Sequence, residues 1–273
     1  MPAQQTDNVE QRLERLECGF REYLHAFNTE PPFTRSQLEH HLLTIELLRR
    51  FATASDAARD EGFADSLAAT LKSWDVGVER HGQTLLRPPE FRGQLRSISM
   101  AVAELEDLRI DGPSIDVERA GHRIWLIVGD LDIVRYKSEP VKRKVVSGTK
   151  ALHHLLPNLV FPMDNEYTAT FFGWHDFGTD PEHRFKFRQV AAIARTVSPQ
   201  SYVGEGWNTS VSKVLDNAIV GFCRSQGIMS RNKCNRRKKQ AVLNLLKEAG
   251  LADPLEFARR LKEVAGTKLP PQS

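Results

Sequence analysis

The segment Ser210-Val211-Ser212-Lys213-Val214-Leu215-Asp216-Asn217-Ala218-Ile219-Val220-Gly221-Phe222-Cys223 decides the fold class. Its apolar residues at 211, 214, 215, 218, 219 and 222 recur at the spacing of one helix face, which the two-residue period of a strand does not produce. Thr209 or Ser210 supplies an N-cap, and Trp207-Asn208 stands just before it, where a helix start can meet a ligand.

Working outward, the same signature returns. Thr34, Gln37 and the flanking Phe33 and Leu38 read as a capping box with a hydrophobic staple, opening a helix that continues through Leu42, Ile45 and Leu48. Apolar stripes at Phe63, Leu67, Leu71 and Trp74, and at Phe91, Leu95, Ile98, Val102 and Leu105, predict two more. Further helices are expected over 115–133, 185–197, 236–249 and 254–264. Only residues 76–86, around His81-Gly82, alternate as strands do. The expected fold is all-α, a mostly helical bundle with at most a small β-hairpin near 76–86.

The 273 residues are 40% apolar and 27% charged, ordinary for a soluble chain, and no run approaches the 18 uncharged apolar residues of a transmembrane helix. A polar, acidic start without a signal-peptide core and three cysteines without a CxxC pair point to the cytoplasm, with no membrane association and no zinc or disulfide theme. Charge is segregated. Residues 1–134 carry 15 Lys and Arg against 23 Asp and Glu, while residues 135–273 carry 23 against 12. That divides the chain into an acidic N-terminal helical region, 1–134, and a basic C-terminal one, 135–273, which could also form one continuous domain. The basic residues cluster at 135–150 and 224–239. Such clusters attract phosphates without sequence discrimination. The expected contacts are Lys142, Arg143 and Lys144, then Lys213, then Arg236, Arg237, Lys238 and Lys239.

The densest motif is Val146-Ser147-Gly148-Thr149-Lys150-Ala151-Leu152-His153-His154-Leu155-Leu156-Pro157, followed by Pro162-Met163-Asp164 and Tyr167. Read locally, a basic segment enters a tight turn at Gly148, and a short apolar helix starts at Thr149 and stops at Pro157. Backbone N–H groups at such a corner can seat a phosphate oxygen. Gly-Thr-Lys, an apolar helix and Pro-x-Asp together resemble the helix-hairpin-helix core of DNA glycosylases and their non-catalytic relatives. The resemblance covers residues 141–172. It implies DNA as partner and DNA repair as setting, with Gly148 and Thr149 in the hairpin, Lys150 as a nucleophile and Asp164 as the carboxylate. A lysine of depressed pKa can attack a sugar carbon, and a carboxylate can stabilise the positive charge that builds there. A flipped base needs aromatic or polar walls, for which Tyr167, Trp174, Trp207 and Asn208 are candidates. Ser147 stands where that motif has its first glycine, and no iron–sulfur cysteine cluster follows. The Gly148–Pro157 run is also similar to a group of bacterial proteins of unknown function, which implies no activity.

Two other classes compete. His175-Asp176, with one of the paired histidines His153 and His154, could serve a metal-dependent hydrolase, but adjacent helical residues point about 100° apart, so His153 and His154 read better as core and cap residues. No metal or other cofactor is therefore expected. A helical scaffold that binds a partner through its acidic half is the non-catalytic alternative.

Overall fold

The computed structural model describes residues 8–77, 82–141, 144–173 and 179–228. The described chain is mostly helical. Helices α1 (Val9–Cys18) and α2 (Phe20–Thr29) lead into α3 (Arg35–Leu48), α4 (Ala54–Ala57) and α5 (Glu61–Ser73). Then follow α6 (Pro88–Ala103), α7 (Val117–Asp130), α8 (Val145–Leu155), α9 (Thr168–Phe172), α10 (Asp180–Val197) and α11 (Val211–Ser225). Among the described residues no helix is long and apolar enough to cross a membrane.

The expected caps form. Thr34 Oγ1 accepts from the Gln37 N–H at 3.2 Å while Gln37 Oε1 accepts from the Thr34 N–H at 2.8 Å. Gln37 then donates to the Ser73 carbonyl at 2.8 Å, so the cap also fastens α3 to the end of α5. Phe33 packs against Phe27 and Trp207, with centroids 6.0 and 5.0 Å away.

The strand content differs from expectation. Of residues 76–86, those described give one strand, which finds its partner elsewhere in the chain. The described strand β1 (Gln83–Leu85) pairs antiparallel with β2 (Val134–Tyr136), which pairs with β3 (Glu139–Pro140). The hairpin lies between β2 and β3, where Lys137 (φ 51°) and Ser138 (φ 72°) both take left-handed backbone. That is the twist a two-residue turn requires, here without the Asn-Gly pair that usually announces it.

Gly148 departs from expectation as well. It belongs to the first turns of an uninterrupted α8, and its missing side chain serves helix packing: a Cβ there would sit 2.9 Å from Val128 Cγ1 on α7. The tight phosphate-seating turn therefore does not form at 146–150. The core is continuous from Leu16 to Cys223, and the proposed 134/135 division falls inside β2. Among the described residues, elements from either side of that position interleave because apolar faces, not charge, choose neighbours. Helix α2 meets α11 so closely that a Cβ at Gly221 would collide with the Tyr23 carbonyl.

Candidate functional site

Helix α8 ends at Leu155, two residues before Pro157, and its inward side carries Lys150, His153 and His154. The chain then returns through Met163 and Asp164. The Thr149 hydroxyl donates to the Val145 carbonyl at 2.7 Å and accepts from the Met163 N–H at 3.1 Å, which fixes that return. Asp164 Oδ1 accepts from the N–H groups of Glu166 (2.8 Å), Tyr167 (2.5 Å) and Thr168 (3.2 Å), so the carboxylate caps the turn into α9. Opposite lies α11, capped by Ser210, which presents Lys213, Asp216 and Asn217 to the same place. The loop before it brings Trp207, Asn208 and Thr209. His41 enters from α3 and Trp74 from the end of α5.

A hydrogen-bond chain runs through the histidines with a forced direction. The Lys150 carbonyl can only accept, so His154 Nδ1–H donates to it at 2.8 Å, leaving Nε2 as a lone pair. His41 Nδ1–H donates to that lone pair at 3.0 Å, and Thr209 Oγ1–H donates to His41 Nε2 at 2.8 Å. His153 Nδ1–H donates to the Val160 carbonyl at 2.9 Å. Burial holds all three rings neutral: the pKa of His154 falls to about 4, and those of His41 and His153 fall well below the ordinary value, with the nearby Lys213 charge adding to the effect.

Lys213 is 2% exposed. Its ammonium meets Asp216 Oδ2 at 2.5 Å and lies 5.3, 5.2 and 5.4 Å from the ring centroids of Phe33, Trp74 and Trp207. Burial raises the Asp216 pKa, and the Lys213 charge opposes that rise. Asn208 accepts from Asn217 Nδ2 at 2.9 Å and donates to Asn28 at 3.1 Å. Trp74 Nε1, His153 Nε2, Asp216 Oδ1 and Asn217 Oδ1 are buried without a hydrogen-bond partner, a concentration that ordinary cores avoid.

Lys150 stands at the edge of this cluster. Lys150, Asp164 and Trp74 keep partial exposure, while the histidines, Trp207, Lys213, Asp216 and Asn217 are buried. The Lys150 ammonium position is 3.2 Å from the Trp74 carbonyl and 5.9 Å from its ring centroid. Desolvation lowers its pKa, against the opposite pull of the Asp164, Asp216 and Asp75 carboxylates. The arrangement presents an amine of weakened basicity beside a fixed carboxylate and an indole.

The two motif segments thus converge, bringing Lys150 and Asp164 together with Trp207 and Asn208. Other expected residues do not serve as expected. Lys213 is sealed in the core and cannot reach a phosphate. Gly148 and Thr149 are buried in α8, and Lys144 is tied to Asp132 and the Gly129 carbonyl. Tyr167 is buried, with its hydroxyl pKa pushed up to about 12, first by burial. Lys142, Arg143, Trp174, His175, Asp176, Arg236, Arg237, Lys238 and Lys239 lie outside the described residues. The sequence gives no signal for His41; Trp74 reads only as the end of an apolar stripe, and Asp216 as a residue of the helix after Ser210 with no role of its own. Among the described residues no group of three or more His, Cys, Asp or Glu is arranged to hold a metal. Comparison with protein-family models, with curated proteins and with solved structures found no match.

Proposed function

We propose that this chain is a nucleic-acid-binding enzyme with DNA base-excision or lyase-like chemistry, in which Lys150 is the nucleophile and Asp164 its carboxylate partner. The observation that carries the reading is the solvent-facing edge of an otherwise buried polar cluster. There a desolvated amine, a capped carboxylate and an indole occur together. An unprotonated amine is what attack on a sugar carbon needs. At an abasic site the Lys150 lone pair adds to the C1′ aldehyde. The resulting carbinolamine loses water to give an imine, and the Asp164 charge stabilises the cationic intermediate. The predominance of Lys and Arg after residue 134 supports a phosphate-bearing substrate, although the contacts must come from elsewhere than a corner at Gly148.

Borohydride reduction during incubation with an abasic-site duplex should leave a covalent adduct on the wild type and none on Lys150→Ala. Duplex binding measured against salt should fall steadily as salt rises. A second reading is a non-catalytic helical protein whose polar cluster only organises the core. The complete Thr209–His41–His154–Lys150 hydrogen-bond chain favours it. Equal, absent trapping by both proteins would select that reading.

A further inference from the structure

Two lysines face one indole. Lys213 Nζ lies 5.2 Å from the Trp74 ring centroid and Lys150 Nζ 5.9 Å from it, and both interact electrostatically with Asp216. Their surroundings are unequal. Lys213 has a carboxylate in contact and three aromatic faces around it, all of which favour the charged form. Lys150 has the Trp74 carbonyl and, at a longer distance, the same ring. Two cations sharing a low-dielectric site repel, and the proton is retained where the stabilisation is greater.

We propose that Lys213 is a positioning residue for Lys150: by occupying Asp216 and setting a positive charge against the shared Trp74 ring, it withholds that one carboxylate from Lys150 and favours an amine able to act as a nucleophile. The charged groups facing Lys150 are Asp164 after α8, Asp75 after α5, and Lys213 with Asp216 on α11; His154, on its own helix, is neutral. The three carboxylates all favour a protonated Lys150, and Asp216 is the one whose pull Lys213 offsets by direct contact. The value of this arrangement rests on Lys150 being the nucleophile, but the proton occupancy of Lys150 is measurable without any nucleic acid.

Competitive labelling of the full chain with acetic anhydride across a pH series, with the Lys150 peptide read by mass spectrometry, tests it. Lys213→Met uncovers Asp216, so Lys150 labelling near neutral pH should drop about tenfold, with the profile moved to higher pH. Asp216→Asn leaves Lys213 unneutralised and should move the profile the other way, to lower pH. Simple loosening of the core would hydrate Lys150 and move both profiles upward together. An unchanged Lys150 profile in folded Lys213→Met, or an upward or unchanged one in Asp216→Asn, overturns the proposal; if Lys213→Met does not fold, Lys213→Gln, read in the same way, decides. Opposite shifts together with failed abasic-site trapping would keep the lysine pairing and discard the nucleic-acid reading.

Discussion

Asp164 holds two roles in one side chain, and they can be separated. Its Oδ1 accepts three backbone N–H groups, a role an amide oxygen can also fill, whereas only its charge can stabilise the cationic imine of the proposed reaction. Asp164→Asn should therefore keep the turn into α9 and the melting temperature nearly unchanged while reducing abasic-site trapping about a hundredfold, the usual scale for losing a positioned charged partner. Trapping at wild-type level would remove Asp164 from the chemistry. At this scale the sequence offers Lys150, Asp164, Trp207 and Asn208 because each sits in a short motif with a local reason to be there. It does not offer His41: its partner His154 is 113 positions away, and no local pattern links them.

At the scale of elements, two glycines set how closely helices approach. At Gly148 an added methyl would press on Val128 of α7 through atoms near that side chain's base, and at Gly221 it would meet the Tyr23 backbone of α2, which cannot rotate away. Gly148→Ala should cost about 1 kcal/mol, since overpacking outweighs the gain in helix propensity. Gly221→Ala should cost about 3 kcal/mol. Urea unfolding of both variants checks the order; a reversed order would mean that α2 and α11 are not in tight contact. Helix starts were readable because Thr34, Ser210 and their kind satisfy N–H groups within a few residues. The hairpin was not, because β1 pairs with a strand some fifty residues away and its neighbour turns on Lys137-Ser138, residues that carry no turn signal.

For the molecule as a whole, the buried neutral histidines predict acid sensitivity. The pKa values of His154 and His183 are lowered from 6.5 to about 4, chiefly by burial, and those of His41 and His153 are lowered as well. The unfolded chain binds these protons below about pH 6.5. The folded chain refuses them until about pH 4. Stability should thus be fully present above pH 7 and decline as pH falls from about 6.5 toward 4, by on the order of 3 kcal/mol for His154 alone. Denaturant melts at pH 7, 6 and 5 measure this. A flat stability over that range would mean that these rings are not held neutral.

By itself the sequence determined the helical class and several helix starts, since periodicity and caps act over one or two turns. The tertiary structure alone decided that Gly148 is a packing contact, that Lys213 is a core cation rather than a phosphate ligand, and that described elements from both sides of residue 134 share one interior. Those outcomes depend on which apolar faces meet. Burial, once it places a charge among particular neighbours, overrides what its type promises in water.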